Sequence, residues 1–118
     1  MSEFIIAIPK LPMRNAGITK HFYQKQLNFE LIGDYGNYLL FKKGPLQLHF
    51  FEFADLNPLE NYSQIYIRMN SIQKFYNHLK DSNTVIHPNG KLEMKSWGQL
   101  EFAILDPDNN LITFGESQ

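Results

Sequence analysis

The alternation of apolar and polar positions predicts a strand, a helix and three further strands in the first half of the chain. An apolar run at residues 4–8, ended by Pro9, is typical of a buried strand. Asn15 is a suitable N-cap for a helix over about residues 16–27, in which the apolar residues share one face. Turn residues then separate three apolar runs that predict strands at 29–32, 38–41 and 46–51.

After a loop that carries Pro58, the same order of elements begins again. Residues 65–69 predict a strand, and Asn70 or Ser71 is expected to cap the helix that follows. The apolar stripe of that helix recurs at helical spacing, at Ile72, Phe75, Tyr76 and Leu79. A weak extended segment at 84–87 precedes two strands, 99–105 and 111–114. The residues between these strands, 106–110, favour a turn.

Both halves therefore have the order β-α-β-β-β, and each helix carries a Phe-Tyr pair, Phe22-Tyr23 and Phe75-Tyr76. The repeat favours an α+β fold in which two βαβββ modules, about residues 3–53 and 62–116, form a single domain over residues 1–118. Each module is expected to make a curved mixed sheet with a helix on its back, and the concave faces are expected to form a trough. We expect the modules to pack together, because neither half carries enough core to fold alone.

Composition and charge narrow the function classes. The chain has 118 residues, 43% apolar and 14% aromatic, which indicates one globular domain. Without cysteine it has no disulfide, no thiolate nucleophile and no cysteine-based metal site. A net charge of −1 offers no basic surface for nucleic acid or an anionic membrane. The first ten residues lack the features of a signal peptide, so we expect a cytoplasmic protein.

Short motifs in a fixed order give the chain a resemblance to a known superfamily. These motifs are residues 8–12, His21-Phe22-Tyr23, residues 44–51, Ser96-Trp97-Gly98 and Leu105-Asp106-Pro107-Asp108. Their order resembles the vicinal oxygen chelate superfamily, which includes glyoxalase I, extradiol dioxygenases and bleomycin-resistance proteins. Within it, the chain is most similar to the bleomycin-resistance proteins, and the motifs extend over nearly the whole sequence.

The resemblance implies a metal site in the enzymes of the superfamily, with one ligand on the first and one on the last strand of each module. In this chain those positions are Ile8, His49, Gln64 and Thr113. Only His49 is a good ligand, and a shift along the strands offers Glu52 or Glu116 without matching donors on the opposite strands. We therefore predict no metal and no other cofactor, and a hydrogen-bonded His49 in place of a ligand. Bleomycin-resistance proteins are likewise expected to lack the metal site.

No other catalytic arrangement stands out in the sequence. A Gly-x-Ser-x-Gly motif and a glycine-rich phosphate loop are both absent, and three further histidines, His21, His78 and His87, are scattered. Glu93 and Glu101 are two carboxylates that could pair, but Glu101 alternates with apolar neighbours and is typical of one strand face. The sequence thus favours a binding protein over an enzyme. The alternative is a metal-dependent glyoxalase-like lyase or isomerase, or a dioxygenase.

The resemblance implies non-enzymatic binding and sequestration of a bleomycin-type glycopeptide antibiotic, alone or as its metal chelate, in two grooves of a homodimer. Bleomycin joins a flat bithiazole to a metal-chelating head and a cationic tail, so aromatic faces suit it. The candidate ligand-binding residues are Trp97, Tyr38, Phe51, Tyr35, Tyr66 and His49. Trp97 and Tyr38 match positions at which the resistance proteins carry groove aromatics. The alternatives are packing of Trp97 under the 91–96 loop, and core or dimer-interface roles for Tyr38 and Phe51.

The resemblance also implies exchange of the N-terminal strand across the dimer, with Pro9 and Pro12 as a stiff hinge. It implies a strongly acidic protein as well, which this chain is not. Four lysines, Lys42, Lys43, Lys91 and Lys95, are expected near the groove, and four carboxylates, Asp34, Asp55, Glu60 and Glu93, could supply local negative charge. Another aromatic small molecule therefore remains an alternative ligand.

Overall fold

Each half of the chain forms its own four-stranded mixed sheet with a helical segment against one face. The computed structural model describes residues 2–118, and the chain divides into two units, Met1–Asp55 and Leu56–Gln118. Both units have the β-α-β-β-β order, which confirms the predicted α+β fold class. None of the helices formed by residues 2–118 is long and apolar enough to cross a membrane.

The first unit contains four strands and one helix that ends in a π-helical turn. Its elements are β1 (Lys10–Met13), α1 (Ala16–His21), the π-helical turn (Phe22–Gln26), β2 (Glu30–Asp34), β3 (Tyr38–Lys43) and β4 (Leu46–Glu52). The sheet order is β1-β4-β3-β2, with β1 parallel to β4 and the other pairs antiparallel. Asn15 caps α1 as predicted, since its side chain accepts a 3.0 Å hydrogen bond from the Ile18 N–H.

The predicted strand at residues 4–8 is wrong. The first strand is β1, which pairs with β4 so that Lys10 lies opposite His49. Ile5 is 96% exposed, so the apolar run of residues 4–6 lacks the covering layer that a buried strand requires. Pro12 fits within β1 because this strand lies at the edge of the sheet, where a missing N–H interrupts no ladder of hydrogen bonds.

An aromatic cluster packs the helical segment of the first unit onto its sheet. Tyr23 is fully buried, and its ring centroid lies 4.7 Å from that of Phe50 and 5.5 Å from that of Phe41. Because side chains alternate along a strand, the neighbours of Phe50 on β4, His49 and Phe51, lie on the opposite face of the sheet. We call this opposite face, with Tyr38, His49 and Phe51, the helix-free face of the first sheet.

The second unit repeats the plan with a longer helix. After a short 3-10 turn (Pro58–Glu60), its elements are β5 (Gln64–Arg68), α2 (Ile72–Asp81), β6 (Glu93–Met94), β7 (Gln99–Leu105) and β8 (Leu111–Ser117). The sheet order is β5-β8-β7-β6, with β5 parallel to β8. The segment predicted at 84–87 makes a single bridge, Ile86 to Ile104, while β6 is a strand that the sequence pattern did not predict.

The apolar stripe of α2 packs as predicted. The Phe75 ring lies 5.0 Å from that of Phe114, and the Tyr76 ring lies 5.0 Å from that of Phe102. Alternation along β7 and β8 therefore turns Glu101, Ala103, Thr113 and Gly115 to the other side. We call this side, together with Tyr66 and Arg68 of β5, the helix-free face of the second sheet.

The N-cap residue of α2 is Ser71, one of the two predicted, but the capping hydrogen bonds go to another side chain. Ser71 occupies the N-cap position, but its backbone is left-handed (φ 59°) and its side chain makes no capping hydrogen bond. The carboxylate of Glu116, on β8, accepts hydrogen bonds from the backbone N–H groups of Ser71 (3.0 Å) and Ile72 (3.2 Å). The free N–H groups at the helix start are thus satisfied by a strand distant in sequence.

The predicted turn between the last two strands is confirmed and is held by a buried carboxylate. Asp106 accepts hydrogen bonds from the backbone N–H of Asp108 and Asn110, both 2.9 Å, and from the Asn110 amide at 2.8 Å. The side chain of Asn61 donates to the Asp108 carbonyl and to Asn110 Oδ1, both at 2.9 Å. This turn therefore also ties down the segment that leads into β5.

Candidate functional site

Trp97 lies in the turn before β7, with its ring exposed. Its side chain is 64% exposed, which does not fit a packing role beneath the 91–96 loop. The next residue, Gly98, has φ +80°, a conformation that favours glycine and aims the turn at the start of β7. The indole Nε1–H donates a 2.9 Å hydrogen bond to Glu101 Oε2, so the exposed ring is anchored at its polar edge.

Tyr66 lies in the middle of β5, the edge strand of the same sheet. Its hydroxyl donates a 2.7 Å hydrogen bond to the same Glu101 Oε2 and lies 3.4 Å from Gln99 Oε1. Burial of the hydroxyl and, secondly, the hydrogen bond to Glu101 raise the pKa of Tyr66 above its usual value. The guanidinium of Arg68 lies 5.5 Å from the centre of the Tyr66 ring, within cation–π distance.

Glycine at position 115 makes room for this arrangement. Gly115 on β8 lies opposite both Arg68 on β5 and Glu101 on β7, so Tyr66 must cross β8 at this point to reach the carboxylate. A Cβ atom at position 115 would overlap the Tyr66 hydroxyl and lie 2.6 Å from the ring carbon that bears it. Any side chain here would therefore displace Tyr66.

Glu101 is the residue that the sequence interpretation missed. The alternating pattern predicts its place on one face of a strand, which is correct, but the residue is only 7% exposed and its carboxylate joins two exposed aromatic side chains. A cleft of about 160 Å³ adjoins it, with Lys91, Lys95 and Thr113 among its walls. The sequence signal was a carboxylate within an otherwise apolar strand, since a buried charge requires partners.

The remaining candidate residues lie in the first unit. Tyr38 and Phe51 are cross-strand partners on the helix-free face of the first sheet. The Tyr38 hydroxyl and His49 Nδ1 are 3.0 Å apart, while the buried Nε2 of His49 has no hydrogen-bond partner within residues 2–118. Tyr35 lies in the turn between β2 and β3, where it is largely exposed. The structure thus groups Tyr38, His49 and Phe51, and separately Trp97 and Tyr66.

Two of the carboxylates expected to supply negative charge are paired with lysines. Lys20 Nζ lies 3.0 Å from Asp34, and Lys95 Nζ lies 2.6 Å from Glu93. The Gly36 N–H and then Lys20 lower the pKa of Asp34, and the Lys95 hydrogen bond lowers the pKa of Glu93. Their charges are therefore balanced locally.

The residues at the metal positions of the superfamily do not fit a metal ion. Ile8 is aliphatic and precedes β1, and His49 Nδ1 is occupied by Tyr38. Gln64 and Thr113 offer only neutral oxygens, which are weak ligands for a divalent cation. Within residues 2–118, no three His, Asp or Glu side chains lie close enough together to hold a metal ion.

Two βαβββ units, each with a four-stranded mixed sheet and a helical segment against one face, define a glyoxalase-like plan. The chain belongs to the family of glyoxalase-like domains, which matches residues 5–118, and this confirms the resemblance seen in the sequence.

Several known proteins are similar to this chain in sequence or in structure. A bleomycin resistance protein of Geobacillus stearothermophilus is 27% identical over 124 aligned positions, covering 92% of this chain and 93% of the relative. The solved structure of a bleomycin-binding protein in complex with bleomycin is 26% identical and superposes with a TM-score of 0.85, covering 98% of this chain and 100% of that chain. The fold is shared with lactoylglutathione lyase from Agrobacterium tumefaciens, which is 15% identical with a TM-score of 0.77 and covers 95% of this chain and 92% of its own.

Proposed function

We propose that this chain binds a bleomycin-type glycopeptide antibiotic in the cytoplasm and confers resistance by sequestering it, without transforming it. One observation carries the proposal: two exposed aromatic side chains, Trp97 and Tyr66, are held by a single buried carboxylate on a helix-free sheet face. We call these two residues the aromatic pair. Relatives that match almost the whole chain are named for bleomycin resistance and bleomycin binding, which supports this choice of ligand.

The chemistry of the aromatic pair suits a flat heteroaromatic ligand. A stacked aromatic side chain contributes about 1–3 kcal/mol per ring, judged from stacking on nucleobases. Two such rings supply much of a tight reversible complex without any proton transfer. The residues at the metal positions also favour binding over catalysis, since they do not form the metal centre that a glyoxalase-like enzyme requires.

The proposal includes a homodimer whose grooves are lined by both copies. Phe4 and Ile5 are almost fully exposed within the N-terminal segment that precedes β1. Burying these side chains against a second copy would remove apolar surface from water, and Pro9 and Pro12 would limit the directions in which the segment extends. Exchange of this segment between copies is therefore part of the proposed assembly.

Titration of metal-free bleomycin into chelator-treated protein tests the proposal. Trp97 is the single tryptophan of the chain, so its fluorescence reports on the aromatic pair alone. We expect saturable binding at one site per chain, with heat and fluorescence changing together and with the dissociation constant below about 1 μM. Bleomycin released by denaturing the complex should have its original mass.

A matched pair of tyrosine variants controls for nonspecific stacking. Tyr62, like Tyr66, is exposed in the second unit, but it lies before β5 and outside the aromatic pair. Tyr66→Ala should weaken binding while Tyr62→Ala leaves it unchanged. The absence of any heat or fluorescence change would rule out bleomycin as the ligand, and a chemically altered drug would show that the protein is an enzyme.

A further inference from the structure

We propose that Glu101 is a positioning residue that fixes Trp97 and Tyr66 as one preorganised stacking surface. This inference rests on the proposed function for its ligand, although the arrangement itself is visible without one. Glu101 does not need to touch the ligand: its role is to hold the two side chains that do.

The geometry supports a shared anchor. The indole N–H of Trp97 and the hydroxyl of Tyr66 reach the same oxygen of Glu101, at 2.9 Å and 2.7 Å. Each aromatic side chain has a single polar hydrogen, and both hydrogens are given to this atom. A charged acceptor makes both bonds stronger than bonds between neutral groups.

The aromatic pair needs such an anchor because a large part of both side chains is exposed. Trp97 is 64% exposed in a turn, and Tyr66 is 46% exposed on an edge strand. Exposed side chains of this size sample several rotamers, and fixing them on binding costs free energy. Glu101, on the inner strand β7 and 7% exposed, fixes them before a ligand arrives.

The glycine opposite Glu101 is the second independent observation. Gly115 lies beside Glu101 and leaves open the path along which Tyr66 crosses β8. Strand β8 has no backbone conformation at this position that requires glycine, since Gly115 is not among the residues with positive φ. The absent side chain therefore serves the path of Tyr66 rather than the fold of the strand.

Two substitutions separate positioning from general stability. Glu101→Leu removes the acceptor, and Glu101→Gln keeps an oxygen that accepts from both donors. In the free protein, we expect Glu101→Leu to lower the fluorescence anisotropy of Trp97 and to return the titration of Tyr66 to lower pH. Tyr66 is followed by phenolate absorbance, with Tyr66→Phe as the baseline. Glu101→Gln should retain the anisotropy but lose the part of the Tyr66 shift that comes from the negative charge.

The affinity for bleomycin completes the test. We expect Glu101→Leu to weaken binding about tenfold or more and Glu101→Gln to stay within about threefold of the wild type. If the Leu variant has unchanged anisotropy and unchanged Tyr66 titration, Glu101 does not position the pair, whatever its affinity. If the wild-type protein does not bind bleomycin, the proposed function is wrong. The Trp97 anisotropy and the Tyr66 titration would still decide whether Glu101 positions the aromatic pair.

Two further variants cover the case in which Glu101→Leu does not fold. Trp97→Phe and Tyr66→Phe each keep a ring but remove one donor to Glu101. Measured by calorimetry, each should weaken bleomycin about threefold to tenfold. Wild-type affinity in both variants would contradict a positioning role.

Discussion

At the scale of single residues, Trp97 combines an exposed ring with a fixed polar edge. Replacing Trp97 by Ala should weaken bleomycin binding by about 1–3 kcal/mol because one stacking surface is lost. The fold should persist, since the side chain contributes little to the core at 64% exposure. Calorimetric titration together with circular dichroism checks both parts. A variant that cannot be recovered folded would instead show that Trp97 stabilises the core.

Substitution of Gly115 displaces one side chain of the aromatic pair while both aromatic residues stay unmutated. Gly115→Ala places a methyl group where the Tyr66 hydroxyl lies, so Tyr66 must leave Glu101. Alanine is a better strand residue than glycine, which offsets the lost hydrogen bond, and we expect the free energy of unfolding to change by less than about 1 kcal/mol. We therefore expect urea unfolding to show an unchanged stability and bleomycin titration to show a reduced affinity. An affinity equal to that of the wild type would show that Tyr66 does not contribute to the binding site.

The candidate site was only partly predictable at this scale. The resemblance and the excess of aromatic residues singled out Trp97 and Tyr66, which the structure brings to one oxygen. The role of Glu101 depends on the pairing of β5, β8 and β7, which places Gly115 beside Glu101 and brings the Tyr66 side chain diagonally across β8. Contacts between strands so distant in sequence leave no local pattern.

At the scale of elements, α2 depends on a carboxylate from another strand. Glu116→Ala should lower the free energy of unfolding by about 1 kcal/mol, because two N–H groups at the start of α2 lose their acceptor and a favourable charge near the helix N-terminus is removed. Urea unfolding measures this loss. Glu52→Ala, which removes an exposed carboxylate near the end of β4, is the matched control and should leave stability unchanged.

A substitution in the turn between β7 and β8 is expected to lower the free energy of unfolding more than Glu116→Ala does. Asp106 is buried and accepts three hydrogen bonds within the turn. Asp106→Ala leaves those donors without a partner, and we expect the free energy of unfolding to fall by about 2–3 kcal/mol. Thermal and urea unfolding should agree on the loss. A change below about 0.5 kcal/mol would mean that the turn forms without this carboxylate.

The elements themselves were predictable where the pattern was periodic and long. The stripe of α2 packs as its spacing indicates, and strands β3, β4, β5, β7 and β8 lie close to their predicted positions. The strand predicted for the apolar run at 4–8 is wrong because hydrophobicity shows that a segment favours burial but does not identify what covers it. Strand β6 is only two residues long and polar at its first position, so no pattern could reveal it.

At the scale of the whole molecule, the proposed grooves require two copies of the chain. Light scattering should give a mass near twice the 13.8 kDa of one chain. Removal of residues 2–8 deletes the exposed apolar segment and should weaken the association, which sedimentation at several concentrations would show. A monomeric wild-type protein would contradict the dimer and remove one wall of each groove.

The overall charge separates this chain from the strongly acidic proteins that the resemblance implies. The net charge is −1, and Asp34 and Glu93 are paired with lysines. Long-range attraction for a cationic ligand is therefore weak, and the proposed recognition of bleomycin would depend on contacts at the aromatic pair. The bleomycin titration therefore tests directly whether short-range stacking is enough to bind this ligand.

The glycine that lets Tyr66 cross β8 also exposes the protein to a simple genetic loss. Every glycine codon becomes an alanine codon through one base change, and alanine at position 115 suits a strand but closes the path of Tyr66 to Glu101. Under the proposed function, a lineage growing without the drug would therefore lose affinity in a single step and still accumulate folded protein. If the chain confers resistance as proposed, cells carrying that allele would be less resistant than the presence and expression of the gene suggest.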